Sequence, residues 1–120
     1  MNLNIEGNPK LLEIYKSRYI TNDALAILIE LEYETGEIDR IPISLNLVLD
    51  THKLGPNEFF LKDYSECIEI ARELKRLELI IEQTHDSGEP RFAVAGFEFV
   101  CIYKLTPLGE SVCSELGPHK

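Results

Sequence analysis

The sequence predicts a single α+β domain in which helices supply most of the core and a β-hairpin packs beside them. Three observations predict it. An amphipathic run from Tyr64 to Leu77 leads into the β-branched stretch Leu79-Ile80-Ile81. The turn-rich Asp86-Ser87-Gly88-Glu89-Pro90 separates that stretch from an alternating segment, Phe97 to Leu105. Thr106-Pro107 then offers a capping hydroxyl followed by proline at a first helical position.

Taken in order, Met1 to Gly7 reads as a flexible arm. Asn8-Pro9 looks like an N-cap with proline behind it, and Leu11, Leu12, Ile14, Tyr15 and Tyr19 recur at helical spacing. Residues 8–21 therefore read as an N-terminal helix, and 22–116 as the domain core. Thr21-Asn22-Asp23 supplies fresh capping oxygens, with Ala24, Leu25, Leu28, Ile29 and Leu31 continuing a second helix to about Glu34. Gly36 suits the left-handed stop. Ile38 to Ile43 alternates around Pro42, as a short edge strand does. Ser44 can cap a helix from Leu45 to about Lys53, closed by Gly55-Pro56.

Phe59, Phe60 and Leu61 must be largely buried, but their period is unreadable. Asp63 with Glu66 three residues on resembles a capping box for a helix from Tyr64 to Glu78. Leu79 to Thr84 and Arg91 to Val94 read as strands, Phe97 to Leu105 as the returning strand, and Pro107 to about Leu116 as the last helix, ahead of Gly117-Pro118.

At 120 residues, with 44% hydrophobic and 28% charged residues, the composition is that of one ordinary globular domain. No apolar run approaches the roughly 20 residues that span a bilayer, and no secretory pattern opens the chain, so a cytoplasmic protein with no membrane role is expected. Cys67, Cys101 and Cys113 form an odd count without a close pair, which suits small core residues better than disulfides, zinc or redox sensing. His52, His85 and His119 share no ligand spacing, so no metal is expected. No phosphate loop, nucleophile motif or zinc-protease motif is present, and neither catalytic residues nor a cofactor is expected. The acids Glu30, Glu32, Glu34, Glu37 and Asp39 read as a solvated face.

Two local motifs carry a family resemblance. Ala71-Arg72-Glu73-Leu74-Lys75-Arg76-Leu77-Glu78-Leu79-Ile80 resembles a recognition helix running into a wing. Tyr103-Lys104-Leu105-Thr106-Pro107-Leu108-Gly109-Glu110 resembles the strand and cap that close it. Over roughly 22–116 the chain resembles the winged helix-turn-helix superfamily, especially MarR-like and PadR-like transcription regulators. That resemblance implies a winged helix with an additional N-terminal helix and a two- to three-stranded β-wing. It also implies duplex DNA as partner and transcription regulation as function, through the helix from Tyr64 to Arg76 and the hairpin near Arg91.

Lys62, Ser65, Arg72, Lys75, Arg76 and Arg91 are the candidate DNA contacts, with Lys53 and Lys104 as weaker additions. Leu11, Leu12, Tyr15 and Tyr19 make the first helix broad enough to pair with its copy in a symmetric homodimer. The charge balance points elsewhere. The 21 acids outnumber the 12 bases, giving a net charge of −9, and DNA affinity rests on neutralising phosphates. An acidic protein-protein interaction module without direct DNA binding is the alternative.

Overall fold

Most of the apolar runs with helical spacing pair as strands instead. A computed structural model describes residues 1–96 and 98–116 of the chain. Expectations that rest on the Glu66 side chain, Phe97, Gly117-Pro118 and His119 lie outside the described residues. The α+β winged-helix expectation is overturned: the protein is mostly β, built on two sheets with one helix of length, and the N-terminal helix is absent.

The supposed first helix is β1 (Lys10–Arg18) and the second is β2 (Leu25–Glu32), paired antiparallel. The helical spacing of β1 comes from a β-bulge. Leu11 faces Leu31 and Glu13 faces Glu30, so Leu12 is an extra residue with no partner across the ladder. Leu11 and Ile14 thereby reach the same core three positions apart, the interval that reads as a helix turn. The helical spacing of Leu25, Leu28, Ile29 and Leu31 in β2 is picked out of a nearly continuous apolar run, Ala24 to Ile29, whose periodicity fits a buried strand as well. Leu25, Ile27, Ile29 and Leu31 enter the main core, and Ala26 and Leu28 are buried as well.

Asn8-Pro9 caps nothing. Asn8 is in a positive-φ turn, the Leu3 N–H donates to the Pro9 carbonyl, and Leu3 is 1% exposed within the core. Asn22 closes the turn between β1 and β2, accepting from the Ala24 N–H and donating to Asn46 and Thr51. Gly36 sits at φ +86° in the hairpin to β3 (Ile38–Pro42), where the Tyr33 N–H donates to the Glu37 carbonyl. A three-residue hairpin loop needs that left-handed position.

β3 is one edge of the first sheet, whose order is β3-β2-β1-β9 with β9 (Cys113–Glu115), the last described strand, at the other edge. The chain then passes into the second sheet through Ile43. Its N–H donates to the Ile27 carbonyl, and its own carbonyl accepts from the Lys62 N–H. β4 (Ser44–Leu45) follows, so Ser44 is no cap: its hydroxyl is buried, accepting from the Ile27 N–H and bonded to the Tyr19 hydroxyl at 2.7 Å. The expected helix after it is a 3-10 turn over Val48–Lys53.

β5 (Glu58–Leu61) explains the unreadable Phe59-Phe60-Leu61. The strand is covered on both sides, Phe59 and Leu61 facing the main core and Phe60 a smaller one. Burying each phenylalanine contributes about 2–3 kcal/mol. A 3-10 turn then leads into α1 (Ile68–Arg76), which forms within the expected Tyr64 to Glu78 helix. It lays Ile70, Ala71 and Leu74 on the main core.

β6 (Ile80–Glu82), β7 (Phe92–Ala95) and β8 (Glu98–Leu105) complete the second sheet, ordered β4-β5-β8-β6 with β7 also on β8. β6 and β7 lie end to end along one side of β8. Between them the chain leaves as a small hairpin, closed by a Thr84–Pro90 bridge and by the Arg91 N–H donating to the Gln83 carbonyl. The last helix is only α2 (Pro107–Ser111). The residues expected to extend it form β9 (Cys113–Glu115), parallel to β1. No described helix is long and apolar enough to cross a membrane.

Candidate interaction surface

The six expected DNA contacts divide between the two faces of the second sheet. Arg72, Lys75 and Arg76 are exposed on α1, with Lys62 and Ser65 on the segment leading into it. Acids interleave them. The Lys75 ammonium lies 3.8 Å from the Asp63 carboxylate and 5.2 Å over the Tyr103 ring. Arg76 grips Glu73 through two bonds of 2.9 and 3.0 Å. Glu73 is not on the presented face: it is buried and accepts the Asn4 N–H at 2.7 Å. The hydrogen bonds from Arg76 and then from Asn4 hold its carboxyl below the usual range. Lys62 lies 5.9 Å over the Tyr64 ring.

Arg91 is on the opposite face. Strand alternation puts it with Ala93 and puts Glu58 with Phe60, both on the side of the smaller core, while α1 covers the other side. Its guanidinium donates to the Glu58 carboxylate and to the Lys53 carbonyl, each at 2.6 Å. Glu58 also accepts the Gly55 N–H at 2.6 Å. Burial alone would raise the Glu58 carboxyl; the bonds from Arg91 and Gly55, with the charges of Arg91 and Lys104, outweigh it and leave it low. Nothing local marks Glu58 in the sequence, because its partner is 33 positions away.

The four residues expected at a dimer interface are also dispersed in role. Leu11 is in the core, and Tyr15 lies under the Arg40 guanidinium at 4.6 Å. Tyr19 is bonded to Ser44, its hydroxyl pushed up by burial. Leu12 projects from the bulge, 37% exposed.

The outer half of the β7–β8 ribbon departs from a sealed surface. Cross-strand pairing sets four pairs along one face: Ile80 with Leu105, Glu82 with Tyr103, Phe92 with Cys101, and Val94 with Phe99. Burial falls steadily along that series. Ile80 and Leu105 are in the core, whereas Phe92, Val94 and Phe99 are 44%, 55% and 65% exposed. The Phe92 and Phe99 rings meet edge to face at 5.2 Å.

Between core and apolar end lies a polar band. The Tyr103 hydroxyl donates to Glu82 at 3.4 Å, with Lys75 and Asp63 beside it. Burial first, then Glu82, pushes both the Tyr103 hydroxyl and the Cys101 thiol up. Cys101 is thus a protonated thiol at neutral pH, and burial acts likewise on Cys113. No group of three His, Cys, Asp or Glu among the described residues is placed to hold a metal.

Alternation through Phe99, Cys101 and Tyr103 did signal a shared face. It could not signal that the face outruns the helix covering it. Phe92 and Val94 fall within the expected short strand Arg91 to Val94, and nothing local marks them as exposed. Compared with known proteins, the chain matches no family model, no curated protein and no solved structure.

Proposed function

We propose that this chain is a protein-interaction module that docks its partner on the outer half of the β7–β8 ribbon. The observation that carries this reading is the contiguous exposed set Phe92, Val94 and Phe99. Large apolar side chains grouped on one surface mark an interaction site far more often than scattered ones do. The outer edge of β7 has no strand partner among the described residues, so its backbone groups are available to an added strand. The partner segment is extended, with apolar side chains at alternate positions to meet Phe92 and Val94. The net charge of −9 favours basic residues flanking it.

A second reading, duplex DNA with transcription regulation as its purpose, rests on Arg72, Lys75 and Arg76 sharing the exposed side of α1. One experiment separates the two. A photo-crosslinker is placed at Val94, and at the 90%-exposed Leu49 as control, in parallel with titration of mixed duplex DNA at low salt. The interaction reading expects one discrete protein adduct of basic composition at position 94, none at 49, and loss of the adduct in Phe99→Ser. It expects no DNA retardation. DNA binding that weakens steeply with salt and disappears in Arg72→Glu would sink the interaction reading in favour of the other.

A further inference from the structure

A carboxylate shares the face on which the docking surface lies. Glu82 stands opposite Tyr103, Phe92 opposite Cys101 and Val94 opposite Phe99, so the three rows follow one another along β8. Glu82 is therefore one step inward of Phe92, about 7 Å along the ribbon. We propose that Glu82 is a specificity-determining residue of the docking surface, receiving a lysine or arginine that the partner strand carries two positions beyond an apolar residue. The inference rests on the docking reading above, and adds which charge the partner brings and at which position. Antiparallel to β7, the better-paired direction, the strand reads apolar-x-apolar-x-basic from its N-terminus, its apolar residues meeting Val94 and then Phe92.

The need for a cation follows from the bonds around Glu82. It is half-buried, and the hydrogen bond it accepts comes from the Tyr103 hydroxyl at 3.4 Å, a neutral donor. No base among the described residues forms an ion pair with it, and Lys75, beside the same tyrosine, is held by Asp63 at 3.8 Å. The band thus sets two carboxylates against one ammonium. Its neighbours feel the imbalance: after burial, the charge of Glu82 pushes up both the Tyr103 hydroxyl and the Cys101 thiol. Both stay protonated, so neither neutralises it.

In the free protein, water solvates this charge. A partner that covers Phe92, Val94 and Phe99 strips part of that water away. A strand without a cation then leaves a desolvated carboxylate unpaired, which is costly, while a strand with one forms a partly buried pair. Discrimination comes from that penalty as much as from the new attraction. A lysine or arginine is long enough to lay its aliphatic stem along the Phe92 row and place its head at Glu82. Backbone pairing need not extend past β7. His85 of the 84–90 hairpin shares a cleft with Lys53, Arg91 and Ile102, so the hairpin turns toward the opposite face rather than over Glu82.

The test pans a phage-displayed random peptide library against the parent chain, Glu82→Gln and Phe99→Ser. The best peptide is then titrated beside a copy carrying norleucine in place of its basic residue. The parent is expected to enrich alternating apolar residues followed two positions on by lysine or arginine, and Glu82→Gln to keep the apolar pair without the basic position. Norleucine is expected to weaken binding to the parent about fivefold and to change nothing in Glu82→Gln. The swap on the peptide reads the pair without altering the protein's fold. Enriched peptides lacking the basic position, or an equal norleucine penalty in both proteins, would overturn the role of Glu82 and leave the docking surface standing. Peptides that bind Phe99→Ser as well as the parent, or no enrichment at all, would overturn the docking surface and this inference with it.

Discussion

Gly109 is held by what it must not touch. A Cβ there would collide with the Leu79 carbonyl oxygen, and that oxygen already accepts the Thr106 N–H at 3.0 Å. Thr106 completes the joint: its hydroxyl donates to the Glu78 carbonyl at 2.5 Å and accepts the Gly109 N–H at 3.0 Å. Cap and glycine thus weld α2 to the end of α1's turn, which explains Thr-Pro-Leu-Gly without any DNA-binding ancestry. Gly109→Ala should destabilise by about 2–3 kcal/mol, the scale of overpacking a tight contact. A urea melt would show a lower midpoint with the slope unchanged; a midpoint equal to the parent's would mean that α2 lifts away freely.

Among the elements, β1 shows how one residue can disguise a strand. Leu12 shifts the register so that Leu11 and Ile14 point the same way. Deleting Leu12 would restore strict alternation with Leu11 and Ile14 two positions apart and both still facing the core. The expected change is within about 0.5 kcal/mol, read as an unchanged thermal midpoint. A loss of about 2 kcal/mol or more, the value of one buried aliphatic side chain, would show that the bulge itself is needed to hold the ladder.

The elements that were legible share a property: each has one face in water. α1 buries a single stripe, β3 lies at an edge, and the 86–90 turn carries its own Gly and Pro. β2 and β5 are covered on both sides, so their sequences carry no period to read. The candidate surface divides the same way. The bases of α1 were visible in the sequence, whereas the exposure of Phe92, Val94 and Phe99 depends on where α1 stops.

For the whole molecule, the Glu58–Arg91 pair is a long-range tie. It joins β5, the Lys53 carbonyl, the Gly55 turn and the start of β7 in one bonded group. Its sign with pH follows from the lowered Glu58 carboxyl. The unfolded value is near 4.5, so the stabilisation is complete above that pH and is lost as the pH falls through the lower folded value. Unfolding free energy should therefore decline between roughly pH 5 and 3. Glu58→Gln should show a shallower decline, together with a loss of about 2 kcal/mol at neutral pH from the weakened charged bonds. Parallel pH curves for the two proteins would rule out Glu58 as a contributor.

By itself the sequence determined the α1 helix, the turn at 86–90, the Thr106 cap, the returning β8 strand and the acidic balance, because each is written in neighbouring residues. Tertiary structure decided that 10–18 and 25–32 are strands, that Arg91 is parted from the bases of α1, and that an apolar ribbon end is left uncovered. Those outcomes depend on which distant surface each run finds, as Leu12's missing partner on β2 and Glu58's bond to Arg91 show, and no local spacing encodes that distance.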